Sequence, residues 1–554
     1  MTGDRKEEIS EFYQMPPEEL AGIRYSLWES ALSNVGLILT TGTYLTAFAL
    51  LMGAEPVHIG LMAALPGLTN ILQLAGSYIV QKTGARKRLT LLCYFWSCLI
   101  WPLIIALPWM VFHWQVSGLW ILIGSLAVSH ILVALGGAAW LSWLTDMVPS
   151  RLRGRFLSRR NLLAGITGMI VSLAAGSFLD IWNTGFRLPH QQAMGISILF
   201  SVGILACLWA IYWVRRMPEK PRPRREDPDF LGSVRKPFGD GAFLAFVSFN
   251  ALWTLSVGVA SPFFGMFMIQ YLVIPFSIIA AMNVAASVFN ILSLRLWGRL
   301  TDELGAKPFL RVCCLIGSLL PFLWLAARPG SYGIIWLIQV LAGLAWSGIG
   351  ICTFALLMNA SPTEENSVYY AVFAAVGGLA GAVAPFLGGL MGNLLLEVRV
   401  TAGPLVLENL HFVFLASGIL RLGTTLLVLP RVSVPDDMRL SDAVRTVATI
   451  QRQGLMTGSR RLATLGSQAM ESTGTAMARG ALAVQRQFGR ALPAGLSLAR
   501  VLGRNAGGTE RLLLRGLRWM ERRLDRGVRL LAGLISVPRF LRRKRRRRPS
   551  KPGL

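Results

Sequence analysis

Twelve stretches of about twenty mostly apolar residues recur along this 554-residue chain, and no other feature restricts its fold as strongly. A helix needs roughly 20 such residues to cross the ~30 Å hydrocarbon core of a bilayer. Apolar residues make up 53% of the chain and charged residues 15%, which excludes a water-soluble enzyme of this length. The sequence predicts an all-α, multi-pass membrane protein. The predicted spans lie near 26–52, 57–80, 89–112, 117–145, 161–182, 193–214, 242–270, 274–296, 309–327, 332–358, 367–392 and 409–430.

The spans fall into two groups of six, separated by the charged, proline-rich stretch MPEKPRPRREDPDF. Such a composition is typical of a solvated linker. We therefore expect five regions. They are a cytoplasmic N-terminal segment (1–25), a first six-helix bundle (26–214), a cytoplasmic central linker (215–241), a second six-helix bundle (242–430) and a basic cytoplasmic tail (431–554).

Lys and Arg residues are concentrated in every second loop. The loops after the second, fourth, sixth and eighth spans, with their flanks, hold twenty-one of them, and the alternate loops hold three. Cytoplasmic loops of membrane proteins carry this excess of positive charge. The bias predicts that both chain termini are cytoplasmic.

The two halves repeat each other at an offset of 213 residues. Small and polar residues recur at that spacing, which is the pattern expected of a duplicated six-helix unit. The matching pairs are Pro149 and Pro362, Gly165 and Gly378, Gly168 and Gly381, Gly176 and Gly389, and Asp180 and Asn393.

The loop after the eighth span reads GRLTDELGAK, from Gly298 to Lys307. This closely resembles the G-x-L-x-D-x-x-G-[RA]-[RK] signature of the major facilitator superfamily. The loop after the second span resembles a degenerate first copy, with Gln81 at the position of the acid, and the stretch after the fourth span is also similar to the family. The resemblance covers about residues 20–430. It implies a fold of two pseudo-equivalent six-helix bundles around a central cavity, and transport as the function.

These loop residues also suit a gate on physical grounds. Glycines allow close helix approach and tight turns, and an acid at a helix end can pair with an arginine or face a helix N-terminus. Such contacts hold the bundle ends together in one state and break in another. The alternative is that the charges only retain the topology. The candidate gate residues are Gly84, Arg86, Lys87, Asp146, Arg151, Arg155, Gly298, Asp302, Gly305 and Lys307.

The resemblance implies that spans one, four, seven and ten line the cavity. Polar and tryptophan side chains in these spans are the candidates for solute contact, because polar groups inside a membrane usually face a cavity or another helix. The alternative is that they bond across helices as structural contacts. The candidates are Asn34, Thr41, His130, Trp140, Asn250, Trp253, Gln339 and Trp346.

Ionisable groups deep inside the spans are few. The acids near the spans, among them Glu29, fall close to predicted span ends, so His130 is the one group expected to titrate near neutrality deep inside. This disfavours a proton–drug antiporter. Arg421 lies well inside the twelfth span and either snorkels, pairs with a carbonyl or acid, or attracts an anionic solute. The cavity candidates themselves favour a neutral or amphipathic solute.

Catalysis finds no support in the sequence. The six cysteines lie in apolar stretches without metal-ligand spacing, and no phosphate loop or nucleophile arrangement is present. We expect no enzyme activity, no metal and no cofactor.

The tail from residue 431 carries 27 Lys and Arg against 7 Asp and Glu, which accounts for most of the net charge of +27. Residues 509–536 place leucines at three- and four-residue steps between arginines, which predicts an amphipathic helix on anionic lipid headgroups. The run Arg542 to Arg548 would also bind other polyanions, but no specific nucleic-acid motif accompanies it.

The sequence thus predicts a monomeric carrier of a small organic solute, working by alternating access in a bacterial inner membrane. The alternative is a transporter-like scaffold that binds a protein or pigment and moves nothing. The fold does not set the solute, the direction of transport or the coupling ion.

Overall fold

The helices of the computed structural model run up and down in two bundles. The structure describes residues 17–114, 118–148, 150–219, 235–362, 366–402 and 405–432. Twelve helices in these ranges are long and apolar enough to cross a membrane, as predicted. Most of the linker, the tail from residue 433 and the predicted helix 509–536 lie outside them.

The twelve helices are numbered in chain order. The first bundle contains α1 (Pro17–Thr40 and Gly42–Leu51), α2 (Pro56–Thr69 and Leu72–Thr83), α3 (Arg86–Trp114), α4 (Gly118–Met147), α5 (Ser150–Gly185) and α6 (Pro189–Arg216). The second contains α7 (Gly241–Gly258 and Ser261–Gln270), α8 (Phe276–Leu304), α9 (Ala306–Trp324), α10 (Gly333–Ala360), α11 (Asn366–Leu394) and α12 (Asn409–Gly423). A short antiparallel pair, β1 (Val400–Ala402) and β2 (Leu405–Leu407), connects α11 to α12.

Two helices begin well before the apolar stretch that predicted them. Helix α1 begins at Pro17, not near residue 26, and α5 begins at Ser150, not near 161. Hydropathy marks only the apolar part of a helix, whereas Glu18 and Glu19 in the first turn of α1 stabilise its positive end. Glu29 consequently lies inside α1 and is buried, rather than at a span end.

Helices α1 and α7, the first of each bundle, are interrupted near their middle. In α1 the backbone of Thr41 is extended and Gly42 has a φ of +59°, a conformation that glycine adopts without strain. In α7 the helix stops at Gly258 and resumes at Ser261 with Pro262, which lacks a backbone donor. Each break places the start of a ten-residue helix between the bundles.

Aromatic side chains fill the interior of each bundle. In the first, Phe200 packs against Phe48 and Trp101 at ring centroid distances of 5.1 and 5.4 Å. In the second, Phe264 stacks on Trp324 and Phe414 at 5.0 and 4.7 Å. Lipid tails are as apolar as these rings, so close packing rather than removal from water holds the helices together.

The bundles meet where α5 approaches α8 and where α11 approaches α2. A Cβ added at Gly176 would lie 2.6 Å from the carbonyl oxygen of Phe276, and one added at Gly389 would lie 2.7 Å from that of Pro56. These glycines are one of the pairs that repeat at 213 residues, so the duplication places the same close approach on both sides of the interface.

Both contacts lie at one membrane face, which we call the opposite face. The other face, which we call the basic face, holds the start of α1, the end of α12 and the Lys- and Arg-rich loops. Towards it, the second part of α2 packs against α4 of its own bundle, and its Leu74 and Tyr78 are more than half exposed.

Candidate functional site

A cavity of about 490 Å³ lies between the bundles, and both contribute to its wall. Its residues come from α1, α2 and α4 of the first bundle and from α7, α8, α9, α10 and α12 of the second. The volume falls within the range of about 300–1,000 Å³ that is typical of small-molecule sites. The breaks in α1 and α7 both open onto this cavity, through Gly42 and Ser261.

Four of the eight predicted solute-contact residues line the central cavity, namely Thr41, His130, Gln339 and Trp346. The amide of Gln339 donates a hydrogen bond to the side-chain oxygen of Asn283, 3.2 Å away on α8. The Thr41 hydroxyl donates to the carbonyl of Leu37 at 2.6 Å. The structure thus brings polar side chains of α1, α4, α8 and α10 to one place.

Two other candidates in the first bundle lie elsewhere. Asn34 turns towards α5, where its amide donates to the carbonyl of Ala164 at 2.6 Å. Trp140 packs edge-on against Trp143 at 5.6 Å and lies under the guanidinium of Arg160 at 5.9 Å. For Trp140 the alternative interpretation, a contact between helices, describes the geometry. Asn34 also lines a second cavity of about 430 Å³, together with Thr41 and His130.

The remaining candidates lie on α7 beside α11. Asn250 is close to Gly377, where an added Cβ would lie 3.2 Å from the Asn250 amide nitrogen. Trp253 is only 4% exposed and lines a side cavity of about 420 Å³ that also reaches Trp346. Neither residue lines the central cavity.

Several cavity residues are absent from the predicted set. Met62, Asn283 and Trp324 lie on α2, α8 and α9, which the resemblance does not place around the cavity. Phe264 lies just after the interruption of α7. Asn283 carried a visible signal, because an amide inside a span is costly unless it is bonded. The apolar residues Met62, Phe264 and Trp324 carried none, because nothing in the sequence distinguishes an apolar side chain that faces a cavity from one that packs against a neighbouring helix.

Arg421 of α12 forms part of the cavity wall and is 2% exposed. Its Nη1 donates to the carbonyl of Gly317 at 2.9 Å, and its Nη2 reaches that of Val257 at 3.4 Å. It therefore bonds to carbonyls of α9 and α7 and does not extend to either face.

The first copy of the loop motif makes the buried ion pair. Arg86, 2% exposed, donates to the carboxylate of Asp146 at 2.6 Å and so ties the start of α3 to the end of α4. Beside it, the Lys87 ammonium donates to the carbonyl of Met217 at 2.7 Å. Gly84 has a φ of +70° and ends α2 in the left-handed conformation.

The second copy is built differently, although its sequence is the better match. Asp302 is exposed near the end of α8, and Gly305, with a φ of +86°, forms the turn into α9. Gly298 has open space at its Cβ position, and Lys307 lies in the first turn of α9. The side chains of the predicted gate residues Arg151 and Arg155 lie outside the described part of the structure.

The interface at the opposite face contains an acid that the motif analysis did not include. The Asp180 carboxylate on α5 accepts hydrogen bonds from the backbone amides of Phe276 at 2.8 Å and Ser277 at 2.9 Å, and from the Ser277 hydroxyl. It therefore caps the first turn of α8 from the other bundle, a favourable position for a negative charge. The repeat of Asp180 with Asn393 was its only sequence signal.

Within the described ranges, no group of three or more His, Cys, Asp and Glu side chains is placed to hold a metal ion. The polar groups of the site are amides, hydroxyls, one imidazole and one guanidinium, set among apolar and aromatic side chains. Such groups can bind and orient a molecule.

Twelve spans in two bundles around a shared cavity define a membrane transporter fold. The Major Facilitator Superfamily model matches residues 31–385 and 250–508. The chain belongs to this superfamily and is a multi-pass membrane protein.

Individual relatives are distant. The chain is 22% identical over 268 residues to "Multidrug resistance protein 2" of Bacillus subtilis (strain 168), a match that covers 47% of this chain and 61% of that protein. A point mutant of the nucleoside transporter NupG superposes with a TM-score of 0.58 at 13% identity, over 73% of this chain and 99% of NupG. A bacterial homolog of the human lysosomal transporter Spinster, in an inward-facing and occupied conformation, superposes with a TM-score of 0.56 at 13% sequence identity. The match covers 77% of this chain and 99% of that protein. At these identities the structures establish the fold alone.

Proposed function

We propose that this protein carries a small organic solute across the membrane by alternating access. The observation that supports this most directly is the cavity of about 490 Å³ between two pseudo-equivalent bundles. A carrier needs a central site that two rigid halves can expose to each side in turn. It also needs contacts at each face that can break, and the Asp180 cap on α8 is such a contact.

We assign this structure to the state closed at the opposite face. Glycines 176 and 389 bring the bundles into contact there, whereas the second part of α2 leaves the interface towards the basic face. The excess of Lys and Arg at the basic face supports a cytoplasmic location for it, and hence for both termini. The family and the side chains of the site support transport without covalent catalysis.

A cross-link between the bundles tests the mechanism. Solute flux would be measured in proteoliposomes against a broad solute panel, with Asp180→Cys and Ser277→Cys combined and joined by a short, reducible thiol cross-linker. Locking α5 to α8 holds the opposite face closed, so we expect flux to stop and to return on reduction. A matched control joins Ser97→Cys to Ser129→Cys within the first bundle, where the hydroxyls are 2.7 Å apart, and should leave flux intact.

The scaffold alternative gives a different result. A protein that binds a partner and moves nothing would show no flux for any solute of the panel, with or without the cross-link, and would co-purify with that partner. Flux that continues through the locked Asp180 and Ser277 pair would also contradict alternating access. An Asp302→Asn variant in the same assay reports whether the intact loop motif controls the rate.

A further inference from the structure

The positive charge of Arg421 has no acidic partner among the described residues. The partners of its guanidinium are the carbonyls of Gly317 and Val257, and no described carboxylate lies within 4 Å of it. The described residues that line the central cavity include no acid either. A buried charge that is balanced only by neutral groups is costly in a membrane, which makes such a residue a functional candidate.

Two other buried or largely buried arginines in the described helices do have acids. Arg86 pairs with Asp146, and Arg160 donates to Glu29 at 2.7 Å. Arg421 has carbonyl dipoles in place of a counter-charge. Its buried Nε makes no hydrogen bond within the described residues, which is also true of the Nε of Arg160, so the two arginines differ in the carboxylate alone. Arg86 and Arg160 therefore form structural ion pairs, whereas the charge of Arg421 remains available to a ligand.

The break in α1 adds positive potential at the same cavity. The ten-residue segment Gly42–Leu51 begins at the cavity wall, and its preceding residue, Thr41, gives its hydroxyl to the carbonyl of Leu37 instead of capping the new helix. The segment Ser261–Gln270 also begins at the wall, but Pro262 has no N–H and the amide of Phe263 donates to the carbonyl of Ala260 at 3.0 Å, so this start contributes less. An uncapped helix start presents free backbone N–H groups and favours an anion.

We infer that the solute carries an anionic group, and that Arg421 supplies the opposing charge in the central cavity. The inference rests on the proposed function and specifies its substrate class. The rest of the wall is largely apolar, with Met62, Met268, Phe264 and Trp324, so the body of the solute is apolar or aromatic. Our assignment is therefore an amphipathic organic anion, such as a carboxylate, sulfonate or phosphate on a hydrophobic body.

Binding to the purified full-length protein tests this without requiring transport. We would measure thermal unfolding in detergent with matched sets in which only the charged group changes, for example 4-phenylbutyrate, its primary amide, its amine, and the corresponding sulfonate and phosphate. We expect the anions to raise the midpoint and their amides and amines to have no comparable effect. The acid that raises it most also identifies which anionic group fits.

Variants at Arg421 then test the residue. Arg421→Gln should weaken binding of that anion at least about tenfold, the order expected for loss of a charge-assisted hydrogen bond, whereas Arg421→Lys should retain part of it. The exposed Arg399, 69% accessible beside Glu408, provides the control Arg399→Gln, which should bind as the wild type does. Unliganded midpoints of all variants report any loss of folding separately.

Several results would overturn the inference. They are equal shifts for acid and amide across the matched sets, no anion-dependent shift in any set, or undiminished anion binding in a folded Arg421→Gln variant. Anion binding that depends on Arg421, but with no flux in proteoliposomes, would retain the anion site and contradict the transport proposal instead.

Discussion

Asp180 and Ser277 connect the two bundles, because the carboxylate of the first accepts both the backbone amide and the hydroxyl of the second. One residue of the first bundle thereby completes a helix start in the second. The contact contains a full charge facing a helix N-terminus, so it stabilises this conformation and is lost when α5 and α8 separate.

Replacing Asp180 by alanine should shift the protein towards the conformation open at the opposite face. Hydrogen bonds to a charged group are worth about 1.5–3 kcal/mol each, so the ratio of the two conformations should change at least about tenfold. The measurement is the labelling rate of Thr46→Cys, a cavity position, by a membrane-impermeant thiol reagent added from that face, in a background without other cysteines. Ser277→Ala removes only the hydroxyl and should have a smaller effect. Unchanged labelling in Asp180→Ala would contradict a closing role.

Alanine at Gly176 or Gly389 should destabilise the described conformation. The added Cβ meets backbone atoms of the other bundle at under 3 Å, and overpacking of this kind costs about 1–3 kcal/mol. Gly165 and Gly378 are a matched control, since they repeat at the same offset and have open space at the Cβ position. Alanine there should be neutral or stabilise by about 0.5–1 kcal/mol. The measurement is the midpoint of thermal unfolding of all four alanine variants. Equal midpoints for the two pairs would contradict close packing of the bundles at Gly176 and Gly389.

The two loop motifs should differ in their effect on stability. Asp146→Asn removes the carboxylate that pairs with the buried Arg86, which we expect to cost about 1–3 kcal/mol. Asp302→Asn alters an exposed side chain and should stay within about 0.5 kcal/mol of the wild type. Unfolding midpoints in detergent compare them directly. A larger loss of stability for Asp302→Asn than for Asp146→Asn would contradict this prediction.

The tail should bind anionic membranes electrostatically. A synthetic peptide of residues 509–536 is expected to bind vesicles containing phosphatidylserine, and added salt should weaken it, because each Arg near such a surface contributes about 1 kcal/mol that salt screens. Vesicles of neutral lipid are the control. Binding that does not respond to salt would contradict the electrostatic part of this prediction.

The number of spans and the duplication could be predicted because lipid imposes a single strong requirement on helix length. The face of each helix could not, since α4, α7 and α10 are apolar on all sides and periodicity does not identify the side towards the cavity. Thr41 and Gln339 lie at the cavity, as expected, because a polar side chain inside a membrane is costly when it faces lipid and therefore faces a cavity or another helix. Asn34 lines a different cavity, and its carbonyl partner on α5 has no sequence signature.

Arg421 illustrates what sequence alone leaves open. The sequence shows that Arg421 lies deep within the twelfth span. Whether it snorkels, pairs with a carbonyl or acid, or attracts an anionic solute depends on which atoms surround its guanidinium. The carbonyls of Gly317 and Val257 come from helices more than a hundred residues away. Only the folded arrangement distinguishes a snorkelling side chain from one in a cavity wall.

Directly after Arg421, residues Thr424–Val428 form a π-helical turn, in which the backbone bonds shift by one position. The hydroxyls of Thr424 and Thr425 bond to the carbonyls of Leu420 and Arg421, four residues back. The turn is one residue longer than an α-helical turn. Deleting Thr425 would therefore convert the turn into an α-helical one and leave the buried Leu429 in the core, whereas the same deletion from a regular α-helix would rotate the residues after it by about 100°. The π turn thus takes up an extra residue of chain while the side chains before and after it keep their places in the bundle.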